Sequence, residues 1–261
     1  MTKYRHAAAF CAASALALSI GAAQAGTISI DNVVGNWTAW TGGTNVNTTP
    51  SGANPAELRW GIPQGGSQSG YDFDAISPSG PWAQDVDFDL GNFTHHNFVI
   101  DSGTSITGAT LAVQFTFHFD AAPLTSYTRT SVFDFAHWET PNDPGKGNKC
   151  ANGQANNQGV NKNGCADRVT AITNPDFTET FEFENEDGDI RTYVFAVSGF
   201  DVGPEFWTVE QKTNTAKLHA RITYEENIQP PSTVPVPASA WLLLSSLGIA
   251  GVATRRRRKS A

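Results

Sequence analysis

From Leu111 to Phe119 apolar side chains recur at every second position: Leu111, Val113, Phe115, Phe117 and Phe119, with Ala112, Gln114, Thr116 and His118 between them. A helix would space them by three and four, so the whole segment Ile106–Phe119 reads as a half-buried β-strand. The run from Asp85 to Leu90 alternates acid and apolar, a strand with one wet face, and Phe93–Ile100 follows a Gly91–Asn92 turn. Thr27–Ile30, Gly35–Trp40, Glu57–Gly61, Tyr71–Asp74 and Thr128–Trp138 read as further strands, separated by Gly-, Asn- and Ser-rich loops such as 41–54 and 63–70. Two hairpins are expected later. Phe177–Glu184 and Ile190–Val197 flank Glu186–Asp189, where Asp187-Gly188 supplies the positive φ of a tight turn. Phe206–Glu210 and Ala216–Glu225 flank Lys212–Thr215, with Leu218, Ala220, Ile222 and Tyr224 facing inward. With no helical period in the body, the fold class is all-β: a single antiparallel β-sandwich, jelly-roll-like, over residues 26–225.

Both ends break this pattern. Lys3 and Arg5 precede the small, apolar run Ala7–Ile20, and Ala23-Gln24-Ala25 is an A-x-A cleavage site, so residues 1–25 read as a signal peptide that carries Cys11 away with it. At the other end, Pro230, Pro231 and Pro235 make 226–237 an extended, semi-rigid linker. An apolar stretch, 238–254, then reads as a single membrane helix. Its sixteen residues Ala238–Ala253 would span roughly 24 Å, against a hydrocarbon core of about 30 Å. Arg255, Arg256, Arg257 and Arg258 form a cytoplasmic stop in the basic tail 255–261.

In that order, the motif residues Val234, Pro235, Pro237 and Ala238, the apolar run and the arginine cluster resemble the PEP-CTERM sorting tail in its VPLPA-like form. Val236 stands where that form has Leu. The resemblance implies an exosortase as partner, cleavage near the Pro motif, and an inner-membrane intermediate. The product would be delivered to the cell surface or extracellular matrix of a Gram-negative bacterium. Without sorting, the same tail would be a plain C-terminal membrane anchor.

Charge sharpens the picture once the ends are set aside. Removing two basic residues with the signal and five with the tail leaves ten Lys and Arg against twenty-five Asp and Glu, a net charge of −15 on about 208 residues. Nucleic acids and anionic lipid surfaces are bound through positive charge, so this body excludes both as partners.

The mature chain retains Cys150 and Cys165, and an oxidising envelope favours a disulfide between them across the Asn/Gly-rich segment 151–164. Thr94-His95-His96-Asn97 resembles the motif that names the THxN family of PEP-CTERM proteins. Arg59-Trp60-Gly61, Ser67–Gly70 and Gly164–Val169 are similar to segments of that family and of choice-of-anchor K domains, a likeness that runs from about Trp37 to Tyr224. It implies an architecture and no particular activity. By strand alternation His95 and Asn97 share one face. They fit either a bend held with Thr94 by side-chain-to-backbone hydrogen bonds, or a sugar or metal contact. A zinc site from His95, His118 and His137 would need three strands to converge. The acids Asp85, Asp87 and Asp89 read as a solvated strand face. Asp187 and Asp189, in the acidic turn, are the residues that would hold calcium if the turn binds one. No catalytic constellation stands out, neither H-E-x-x-H nor G-x-S-x-G.

The expected function is therefore non-enzymatic: an exosortase-sorted, exported protein of the surface or exopolysaccharide matrix, structural or adhesive in a biofilm or floc, without a firm cofactor. A calcium-assisted carbohydrate-binding module is the alternative, with Trp40, Trp60, Trp82 or Trp138 as stacking platforms or as core. A polysaccharide-modifying enzyme is the third reading.

Overall fold

The computed structural model describes residues 27–77, 79–83, 85–120, 125–173, 178–184 and 190–227. The signal segment, the acidic turn with Asp187 and Asp189, the sorting motif, the apolar run and the arginine cluster lie outside these.

The alternating pattern at Ile106–Phe119 forms a strand over that full range, and its inward stripe Leu111–Phe119 is buried to 1% or less. Among the described residues there are thirteen strands: β1 (Ile28–Gly42), β2 (Asn47–Thr48), β3 (Ala56–Trp60), β4 (Ser69–Ala75), β5 (Ser79–Trp82), β6 (Asp87–Asn97), β7 (Ile106–Phe119), β8 (Ser126–Trp138), β9 (Asp167–Thr173), β10 (Thr178–Glu184), β11 (Ile190–Phe200), β12 (Glu205–Thr208) and β13 (Lys212–Asn227). They pair antiparallel in two curled sheets that close into a sandwich. A six-stranded sheet runs β12-β9-β8-β7-β1-β5, and a seven-stranded sheet runs β10-β11-β13-β6-β4-β3-β2.

Several expected breaks are absent. Thr27–Ile30 and Gly35–Trp40 belong to one long strand, β1, bulged between Ile30 and Asn32. Gly91-Asn92 is no turn, because β6 runs straight through it. A bulge against Leu218 and His219 absorbs one residue there. It also resets the alternation, so the buried set passes from Phe88 and Leu90 to Phe93, His95 and Asn97. Without it, His95 and Asn97 would face solvent. Gly91 also gives the Phe73 ring room, since a Cβ at that position would collide with it.

The second expected hairpin does not form. β12 pairs with β9 in the six-stranded sheet, while β13 pairs with β6 and β11 in the other. The segment between Thr208 and Lys212 therefore crosses from sheet to sheet. Residues 41–54, expected as loop, contain the short edge strand β2. β5 and β9 were not expected either.

Aromatic side chains fill the space between the sheets. Phe115 stacks on Phe195 at 4.5 Å and Phe119 meets Tyr193 at 4.4 Å toward one end. Trp37, Tyr71, Phe93 and Phe135 form the next layer, with Phe93 stacked on Phe135 at 4.8 Å. Burying each such ring contributes about 1.5–3 kcal/mol, so these layers dominate the core. Ile28, at the start of β1, registers with Trp82, while near the end of β13 Ile222 accepts a hydrogen bond from Asp85. The first and last strands thus meet the same 82–85 segment.

Candidate functional site: a buried polar cluster at one end of the sandwich

Three inward stripes change from apolar to polar at the same end of the molecule. β6 runs Phe93, His95, Asn97; β8 runs Phe133, Phe135, His137; β9, read toward its start, runs Ala171, Val169, Asp167. The crossing segment adds Thr208 and Glu210, and the residues after β8 add Glu139 and Thr140. His95, Asn97, Asp167, Thr208 and Glu210 are all at 1% exposure or less. Trp60 and Tyr71 wall the cluster: Trp60 stacks on His95 at 6.1 Å and meets His137 edge-on at 5.3 Å.

Hydrogen bonds fix the imidazoles. Thr208 Oγ1 donates its proton to the Asp167 carbonyl at 3.2 Å, so at 2.9 Å it must accept from His95 Nδ1. His95 Nε2 is left with its lone pair, buried and without a hydrogen-bond partner. Asn97 Nδ2 donates to the Thr208 carbonyl at 3.2 Å. His137 Nδ1 bonds the Tyr71 hydroxyl at 2.7 Å, while its Nε2 lies 3.5 Å from a Glu139 oxygen, at the outer limit of a hydrogen bond. The two rings stand perpendicular with centroids 5.2 Å apart. Asp167 Oδ1 accepts from the Thr140 amide at 2.7 Å, and its Oδ2 has no partner.

The electrostatics follow from burial. Removal from water, then the nearby His137 and His96, hold His95 well below the usual histidine range. Burial first, then the charges of Glu139 and Glu210, push Asp167 well above the carboxylate range, against hydrogen bonds from Thr140. Glu210 is pushed up to about 7 by burial and then Glu139, partly opposed by the Asn97 amide. Neither Glu210 oxygen makes a hydrogen bond of ordinary geometry. Burial, then Asp167 and Glu139, also raises Tyr71.

The disulfide supports this end. Cys150 and Cys165 are joined, with Cα atoms 5.2 Å apart, closing the loop that carries a 3-10 turn at Gly159–Asn161. Buried Asn161 exchanges amide bonds of 3.0 Å with Asn152 and accepts from the Ala166 amide at 3.1 Å. Asp167 follows directly, so the loop delivers its carboxylate to the cluster. A groove of about 620 Å³, lined in part by Gln64, Ile100, His137, Glu139 and Asn142, opens toward it from outside.

The other expected positions lie elsewhere. Thr94 faces outward, its hydroxyl 3.3 Å from that of Thr215, so it shares no bend with His95 and Asn97. His118 also faces outward and bonds Asp31 at 2.8 Å, which removes it from any site with His95 and His137. Asp87 bonds Arg221 through two contacts of 2.8 Å, and Asp89 holds Lys217 at 2.7 Å and His219 at 2.8 Å. Those acids are spent on side chains of β13. Trp60 is core, Trp82 is half-buried against Phe88, and Trp40 and Trp138 are each 42% exposed.

What the chain is for enters through its end. Residues 233–258 match the PEP-CTERM protein-sorting motif. The motif marks an exported protein that an exosortase processes and sends to the surface of a Gram-negative cell. No curated protein matches the chain. Sequence reasoning passed over Asp167, Glu139, Tyr71, Thr208 and Glu210. For Asp167 the signal was present: it extends the inward series Ala171, Val169 by one step. Glu139 lies beyond the end of β8, where alternation gives no guidance, and Glu210, expected within a strand, lies two residues past the end of β12.

Proposed function

We propose that the mature sandwich acts in the extracellular matrix, or on the cell surface, as a structural and adhesive component of a biofilm or floc, without catalysing a reaction. The sorting motif carries this reading, because it sends an acidic β-sandwich to a place where polymers are the surroundings. We read the body as THxN-like, on Thr94-His95-His96-Asn97 and the segments around it. Exopolysaccharide is the partner this reading names.

A carbohydrate-binding role for one face is favoured by a specific arrangement. Trp138, Arg168 and Trp207 register side by side across β8, β9 and β12 on the outside of the six-stranded sheet. The indoles are 6.1 Å apart, and the Arg168 guanidinium carbon lies 4.8 Å from the Trp138 centroid. A half-exposed indole braced by a guanidinium is a rigid platform for stacking a sugar ring. The test is co-sedimentation of the full chain with exopolysaccharide of the host, with and without calcium. Retention of the wild type, reduced at least several-fold in Trp138→Ala, is expected. Equal recovery of both proteins in the supernatant would remove the polymer-binding reading.

A further inference from the structure

We propose that the polar cluster is a binding site for one divalent transition-metal ion, zinc by preference, held by His137 Nε2, Glu139 and Asp167 Oδ2, with His95 Nε2 as a fourth donor. One ligand atom from each of His137, Glu139 and Asp167 lies within 4.8 Å of the others. Bound tetrahedrally to an ion at about 2.0–2.2 Å, such donors would sit about 3.3–3.6 Å apart. Inward movement of these three side chains, with His95 approaching from β6, would complete the site.

Three observations separate this cluster from an ordinary group of surface acids. First, two of its ligand atoms are buried and free: His95 Nε2 and Asp167 Oδ2 are unpartnered in residues with no measurable exposure. Leaving one such polar atom unsatisfied costs about 1–3 kcal/mol, and more for a charged group. Several at one point in a native structure call for an explanation, and a bound ion supplies one. Second, the donor nitrogens are already oriented. Thr208 holds the far nitrogen of His95, and Tyr71 that of His137, which are the outer partners that fix a ligating imidazole. Third, Glu139 and Asp167 add two carboxyl groups to the pocket, and four cations of the described body do not neutralise them. Arg59, Arg168, Lys217 and Arg221 all pair with acids elsewhere.

The donor set selects the metal. Calcium and magnesium take oxygen ligands, whereas two imidazole nitrogens with two carboxylates suit zinc and its neighbours in the first transition row. The groove at His137 and Glu139 gives the ion a way in. Bound there, it would tie β8 and β9 of one sheet to β6 of the other. It would also secure Asp167, which the disulfide loop presents.

The test uses the full-length chain, stripped with chelator and titrated with Zn²⁺, Co²⁺ and Ca²⁺ separately. One equivalent of zinc per chain is expected, with a rise in Tm. Cobalt should give the strong visible absorption of a four-coordinate ion, and calcium should do neither. Tyr71→Phe, which keeps the ring but removes the outer partner, should weaken zinc about 10- to 100-fold. Glu139→Gln, at the rim with 21% side-chain exposure, should weaken it further while the protein still folds. Zinc binding below one equivalent, or unchanged by Glu139→Gln, overturns the proposal. So does an Asp167→Asn protein that is more stable than wild type in the presence of zinc, because the cluster would then be closed by protons.

Discussion

At the scale of single residues, the most informative positions are polar ones that occupy an apolar series. His95 follows Phe93, His137 follows Phe135, and Asp167 continues Val169 on faces that are otherwise sealed. The outside of β6 shows the contrast. His96 bonds Asp72 at 2.7 Å, and Arg59 holds the same carboxylate from β3. Burial would raise Asp72, but the hydrogen bonds from His96 and Arg59, and then their charges, outweigh it and hold the group below the ordinary carboxylate range. A carboxylate lowered by folding contributes stability that is complete above its unfolded value, about 4, and is lost as pH falls through the folded value beneath it. Asp72→Asn should therefore be less stable than wild type at pH 7. The gap should shrink in denaturant titrations run below pH 4. A gap that stays constant with pH would mean that packing, and not the charge, is what the aspartate contributes.

Between residues and the whole lie the elements, and here the sequence was legible wherever one period ran unbroken. β7 is legible because its alternation runs unbroken from Ala109 to Phe119, and only at Ile106 does the phase shift. β6 was divided in two because a bulge shifts its phase at Leu90 and Gly91, and a phase shift looks the same as a turn when partners are unknown. β12 and β13 were read as a hairpin because they are close in sequence, yet long-range pairing sends them to different sheets. That crossing carries Thr208 and Glu210 into the cluster, so the site could not be assembled from local pattern alone. The disulfide loop is the second element that builds the site. Its separation of 15 residues gives a stabilisation of about 3 kcal/mol in the chain-entropy model. The Cys150→Ser/Cys165→Ser double variant should lose about that much in chemical denaturation. It should also lose zinc affinity through Asp167. Loss of stability with zinc binding intact would show that the loop is a staple and not a support for the site.

For the whole molecule, the sorting motif and the sandwich make separable claims. Val234, Pro235, Pro237 and Ala238 lie within the matched residues 233–258, so the two prolines are the positions at which to test recognition by the processing enzyme. Changing Pro235 and Pro237 to Ala should leave unprocessed chain with its arginine tail in the inner-membrane fraction, detected by the mass of the C-terminal peptide. Release at the normal rate would place recognition elsewhere in the tail. The direction of β13 adds a consequence. Lys212, at its start, registers with Asn97 beside the cluster, whereas Asn227, its last residue, registers with Ile190, so the strand takes in Glu226 and Asn227, the first two residues of the expected linker 226–237. At about 3.3 Å per residue, the strand carries the exit of the chain roughly 50 Å from the cluster. In a chain anchored by its tail, the cluster would lie at the end of β13 away from the point where the described chain leaves the sheet. Sorting would then decide where the pocket is presented, and leave unchanged what it can take up.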